Sequence, residues 1–131
     1  MLTKINHIGV AVASLEEALP FYRDQLGMTY HGSEEVASQK VKVAFLAIGE
    51  SKIELLEPTS PESPVAKFLE KNGPGVHHIA YSVPDIEAAI AQLVAGGARM
   101  IDAVPRPGAH GARIAFIHPK SSGGVLTEIC G

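Results

Sequence analysis

Two histidines and two glutamates recur at matched places in the chain. His7 opens the run Ile8-Gly9-Val10-Ala11-Val12 and His78 opens Ile79-Ala80-Tyr81-Ser82-Val83, at an offset of 71 residues. Glu54 lies in Ile53-Glu54-Leu55-Leu56 and Glu128 in Thr127-Glu128-Ile129, at an offset of 74 residues. A carboxylate buried in an apolar strand is costly unless it is paired or binds a cation. Two imidazoles and two carboxylates would supply four ligands for a divalent ion such as Zn, Co, Ni, Mn or Fe, leaving positions open for water or substrate. A single strand histidine is ordinarily structural and a single strand glutamate ordinarily faces solvent. Recurrence of both at equivalent positions is what favours a metal site.

The repeat also predicts the elements that carry these side chains. Side chains alternate along a strand, so His7 shares a face with Gly9 and Ala11, and His78 shares one with Ala80 and Ser82. Small residues beside each histidine leave room for a ligand, while Ile8, Val10, Val12, Ile79, Tyr81 and Val83 point the other way, towards helices. Ser14 and Asp85 stand at equivalent N-cap positions, and Ser14 with Glu17 fits a capping box. The first helix is expected to run to about Leu26 and stop at Gly27, with an irregularity at Pro20; the second runs from Ile86 to about Ala95 and stops at Gly96-Gly97. Strand-like runs follow at Met28–Glu35, Val41–Ile48 and Lys52–Glu57, then at Arg99–Ile101, Ile114–His118 and Val125–Ile129. Each half therefore reads as strand, helix and three strands. The halves span residues 1–60 and 76–131, with a linker helix over residues 61–75 that starts at Ser63-Pro64 and ends near Gly73. The fold class expected is α+β, two βαβββ modules forming a curved mixed sheet around a metal site.

Other residues read more plainly. His77 faces away from the proposed ligand beside it and is taken as structural. Glu34, Glu35 and Glu50 border turns, Glu57 precedes Pro58, and Glu16, Glu17 and Glu87 occupy first helical turns, where negative charge is favoured. The single cysteine, Cys130, forms no internal disulfide, which points to a reducing cytosol, and its place next to the last residue makes it a poor nucleophile. The longest early apolar run, residues 8–13, is neither a signal peptide nor a membrane span. The 131 residues are 46% apolar and 19% charged with net charge −3, a composition for one packed domain rather than a disordered chain or a nucleic-acid binder. Residues 99–131 nevertheless lean basic, with Arg99, Arg106, Arg113 and Lys120 against Asp102 and Glu128.

The duplicated motifs resemble the vicinal oxygen chelate superfamily, which includes glyoxalases, bleomycin resistance proteins and extradiol dioxygenases. More specific are Pro105-Arg106-Pro107-Gly108-Ala109-His110-Gly111, the stretch from Ile114 to Ser121, Gly124-Val125-Leu126-Thr127-Glu128, Ile53-Glu54-Leu55-Leu56-Glu57-Pro58 and Ser63-Pro64-Val65-Ala66-Lys67-Phe68-Leu69. Together these are similar to the methylmalonyl-CoA epimerase family over essentially the whole chain. The resemblance implies interconversion of the 2R and 2S thioesters in propionate metabolism, one divalent ion per chain (Co, Mn, Ni or Zn) on His7, Glu54, His78 and Glu128, an acyl-CoA substrate and a homodimer. Some family members place a catalytic glutamate on the third strand, where this chain has Val43. Glu54 and Glu128 are then expected to serve as both ligands and proton carriers. Arg106, His110, Arg113 and Lys120 become candidates for CoA phosphates or the substrate carboxylate. The rival readings are a glyoxalase I type lactoylglutathione lyase with the same ligands, and a metal-free small-molecule binder, which would leave four matched ligand residues without a task.

Overall fold

A computed structural model describes residues Met1–Gly131, which form two compact units. One is His7–His77; the other combines Met1–Asn6 with His78–Gly131. No helix is long and apolar enough to cross a membrane.

In the first unit, β1 (Lys4–Ala11) contributes its residues from His7 onward, followed by α1 (Leu15–Leu19), β2 (Thr29–Val36), β3 (Val41–Ile48), β4 (Ser51–Pro58) and α2 (Pro64–Asn72). The strand order is β2-β3-β4-β1, with β4 antiparallel to β3 and parallel to β1. Ser14 accepts a hydrogen bond from the Glu17 amide, so the expected cap forms, and Glu57 adds a second by accepting from the Leu15 amide at 2.8 Å. The irregularity expected at Pro20 is present, and the regular α-helix ends at Leu19. Proline has no N–H to offer the carbonyl four residues back, and the chain continues over Pro20–Gln25 in wider π-helical turns, with the Leu26 amide reaching Phe21 O five residues away. Gly27, at φ +77°, makes the exit. Leu15, Ala18, Leu19 and Tyr22 pack on Val10, Val12, Ala44, Leu46 and Leu55, which fixes one face of this sheet as the helix side.

The second unit holds β5 (Gly75–Ser82, from His78 onward), α3 (Ile86–Ala95), β6 (Arg106–Pro107), β7 (Arg113–Ile117) and β8 (Thr127–Cys130), in the order β5-β8-β7-β6. This is the first unit's connectivity again: the first strand runs parallel to the fourth, and the second, third and fourth pair antiparallel. Asp85 caps α3 by accepting from the Ala88 amide at 3.0 Å. Ile86, Ala89 and Ile90 of that helix pack on Val83, Ala115, Ile117 and Ile129. The N-terminal residues join this unit through the Thr3 amide donating to Ser82 O and Asn6 Nδ2 donating to Ser82 Oγ, at 2.9 and 3.0 Å.

The strand expected at Arg99–Ile101 is reduced to a single bridge, Met100 to Ile117. The Asp102 carboxylate accepts the Phe116 amide proton at 2.9 Å, so a side chain takes the ladder position that a backbone carbonyl would fill. The second-strand role passes to Arg106–Pro107, opposite Ile114 and Arg113.

Candidate functional site

In the first unit, strand register puts Gly9 and Phe45 beside Glu54, while Val43 and Ala11 flank Leu56. These residues, with His7, lie on the sheet face away from α1. His7 and Glu54 are both buried, and His7 Nδ1 stands 3.1 Å from Glu54 Oε2. The spacing is that of an ion pair, but the imidazole is not charged at neutral pH. Burial, with the positive charge of Lys52 beside it in the register, pushes the His7 pKa down to about 3. A neutral imidazole keeps a lone pair for a cation. Val43, also buried, faces the same side and has no proton to give. Glu34 lies near the end of β2, within the strand expected there, opposite Val43.

The second unit repeats the arrangement. Ala80 and Phe116 pair with Glu128 in the register, so His78, Ala80, Phe116, Glu128 and Cys130 share the face away from α3. His78 Nε2 lies 3.3 Å from Glu128 Oε1, and both side chains are almost fully buried. Burial raises the Glu128 pKa to about 7. Two neighbours oppose the rise: the Cys130 thiol, which donates to Glu128 Oε2 at 2.9 Å, and the Arg106 charge; Asp102 adds to it. Ala11 and Ala80 are completely buried, so the small residues next to the histidines are enclosed and not merely permissive.

Each unit by itself offers one imidazole nitrogen and one carboxylate oxygen, all buried, and donors of this kind suit a borderline divalent ion. Glu128 gives the physical sign of fit. Its carboxylate is costly to ionise where it stands, and a bound cation is what would relieve that cost.

The basic residues divide by environment. Arg106 stacks over the Phe116 ring at 5.2 Å, and its Nε sits 3.3 Å from Asp102 Oδ2. Arg113 forms an ion pair with Glu87 of α3, both exposed. Lys120 is exposed in a 3-10 turn where its amide donates to His118 Nδ1. His110 occupies the left-handed region at φ 56°, in the tight turn that the Gly108 amide closes on Ala112 O. His77 stacks edge to face on Phe68 of α2. Cys130 is the residue whose place sequence reasoning missed. It lies two residues from Glu128, a spacing that puts both on one strand face, and this was the signal available.

The chain matches the model of the glyoxalase/bleomycin resistance protein/dioxygenase superfamily over residues 6–116. It is 42% identical over 131 residues to the ethylmalonyl-CoA/methylmalonyl-CoA epimerase of Cereibacter sphaeroides, covering 98% of each chain. Among solved structures, a hypothetical protein from Bacillus halodurans is 54% identical with a TM-score of 0.95, covering 97% of this chain and 92% of that one. A methylmalonyl-CoA epimerase in complex with methylmalonyl-CoA and NH4+ is 43% identical with a TM-score of 0.95, covering 99% of this chain and 94% of that one.

Proposed function

Because the chain belongs to the glyoxalase/bleomycin resistance protein/dioxygenase superfamily, with its α+β fold, and is an enzyme of the methylmalonyl-CoA epimerase kind, we propose that it interconverts (2R)- and (2S)-methylmalonyl-CoA by moving the C2 proton. The observation that carries this reading is the repeated buried His–Glu pair, His7 with Glu54 and His78 with Glu128, each on a sheet face lined by small residues. In this reading those four residues hold one divalent ion (Co, Mn, Ni or Zn), which when bound would supply Lewis acidity to the thioester and carboxylate oxygens of the substrate.

The chain's own residues then have two tasks. Inverting C2 requires a proton to leave one face and return to the other, so two acid/base groups must flank the substrate. Val43 cannot be one of them. Glu54 and Glu128 take both roles, one from each copy of the repeat. A carboxyl whose pKa sits near 7 is suited to accept and return a proton at neutral pH, which is the condition burial creates at Glu128. Ala11 and Phe45 in one unit, and Ala80 and Phe116 in the other, are buried beside these carboxylates on their own sheet faces. The working assembly in this reading is a C2 homodimer serving propionate metabolism.

The test is wash-in of deuterium at C2 of methylmalonyl-CoA by the wild type, Glu54→Gln and Glu128→Gln, each with its metal content measured. Wild type should exchange and epimerise, and each variant should lose exchange by at least a hundredfold. Full exchange in a variant that still holds metal would remove that residue as a proton carrier. Turnover of methylglyoxal with glutathione, and none of methylmalonyl-CoA, would replace the whole assignment by a lyase.

A further inference from the structure

Arg106 is held in a way that an ordinary solvated loop arginine is not. Pro105 and Pro107 flank it and fix their own φ angles, narrowing the backbone at this point. Its register partner is Ile114, two residues before Phe116 on β7, which puts Arg106 on the same sheet face as Phe116, Glu128 and His78. The guanidinium lies over the Phe116 ring, and that ring meets the His78 imidazole edge on, with centroids 5.5 Å apart. Asp102 holds the near end of the fork. Its Oδ2 is 3.3 Å from Arg106 Nε but accepts the Phe116 amide proton at 2.9 Å, and the buried Nε is left without a hydrogen bond of its own. The contact is therefore an ion pair that orients the guanidinium and leaves the two terminal nitrogens for another acceptor. The charge is felt at Glu128, where it favours the carboxylate.

We propose that Arg106 is a specificity residue that receives the free carboxylate of the acyl group, so that the site selects carboxylated acyl-CoA thioesters over uncharged ones. This rests on the epimerase reading given above. The ligand chemistry follows from position. A guanidinium offers a planar fork that fits both carboxylate and phosphate. Arg106, however, is on the face of His78 and Glu128, where the epimerase reading puts the reacting carbon, whereas the CoA phosphates are separated from the thioester by the whole pantetheine arm. The anion within reach of that face is the carboxylate attached to C2. Asp102 and Phe116 act as positioning residues, since they hold the fork in place before substrate arrives and so reduce the ordering cost of binding.

The experiment is calorimetric binding of methylmalonyl-CoA and of propionyl-CoA, which lacks the carboxylate, to wild type, Arg106→Met and Arg106→Lys. Each protein is measured with its divalent ion and again in chelator, with folding checked by circular dichroism. Wild type should prefer the carboxylated ester in both conditions. In Arg106→Met that preference should fall at least tenfold through weaker binding of methylmalonyl-CoA, with propionyl-CoA affinity changing less than twofold. Arg106→Lys keeps the charge without the fork and should retain an intermediate preference. An unchanged preference in folded Arg106→Met, or in Arg106→Lys if the Met variant does not fold, overturns the assignment while leaving the epimerase reading intact. Failure of wild type to bind either thioester overturns both.

Discussion

Replacing Glu128 by Gln should stabilise the metal-free chain at alkaline pH while abolishing its chemistry. Glu128 is almost completely buried, and its pKa is raised from the ordinary 4.5 to about 7 by that burial. A group whose folded pKa is raised is bound more tightly to its proton in the native state. Its contribution to stability is therefore fully present below about pH 4.5, declines as pH rises, and is lost above about pH 7. The gap between 4.5 and 7 corresponds to about 3 kcal/mol at 1.36 kcal/mol per pH unit. Gln has nearly the same shape, retains an acceptor for the Cys130 thiol, and cannot ionise. In chelator at pH 8, Glu128→Gln should raise the unfolding free energy by about 3 kcal/mol, or Tm by roughly 10 °C. At pH 4.5 the two proteins should differ by less than about 1 kcal/mol. The assay is urea unfolding followed by circular dichroism at both pH values. With saturating metal at pH 8 the order should reverse, because the ion stabilises only the chain that binds it. A variant that is no more stable than wild type at pH 8 in chelator, or whose effect is independent of pH, would refute the claim that burial dominates the energetics of this carboxylate.

The same groups predict how metal affinity depends on pH. His7 is already neutral, whereas Glu128 has a proton to shed near neutrality, so affinity should fall as pH is lowered from 7 to 5; titration calorimetry in buffers of different ionisation enthalpy should detect proton release on metal binding at pH 6. Gly108→Ala should destabilise by about 1–3 kcal/mol in urea unfolding, because its Cβ would stand 2.8 Å from Ile114 Cγ2 in the strand pair that carries Arg106; a loss below about 0.5 kcal/mol would show that Ile114 yields. Asp85→Ala removes the acceptor for the Ala88 amide and should cost about 1 kcal/mol by the same measurement, with metal binding unchanged. Glu34→Gln should leave C2 deuterium exchange at the wild-type rate; loss of exchange would transfer one proton-carrying role from Glu54 or Glu128 to the carboxylate next to Val43 on the neighbouring strand.

Much of the site was legible because a duplicated sequence reports on itself. His7 and His78, each followed by alternating small and large residues, specify which strand face is helix side and which is site side, and α1 and α3 do pack on the large residues. The caps at Ser14 and Asp85 were equally local, resting on a side chain and an amide three residues away. What could not be read depended on partners distant in the chain. Nothing near Glu57 announces that it caps a helix 42 residues earlier, and nothing near Asp102 announces that it takes the Phe116 amide and so replaces a strand by a single bridge. Strand β2 likewise runs to Val36, one residue beyond the expected Glu35, because Val36 pairs with Val41 of β3.

By itself the sequence determined the residue types, their alternation along strands and the pairing of one histidine with one glutamate per repeat, since all of these follow from short-range periodicity. The tertiary structure decided their energetics. Only packing makes His7 a neutral donor, lifts Glu128 to about 7, sets the Cys130 thiol against Glu128, and pins Arg106 between Asp102 and the Phe116 ring while Arg113 turns to Glu87 on α3. Burial and the distance to a neighbouring charge are properties of strands brought together from opposite ends of a unit, and no local pattern encodes them.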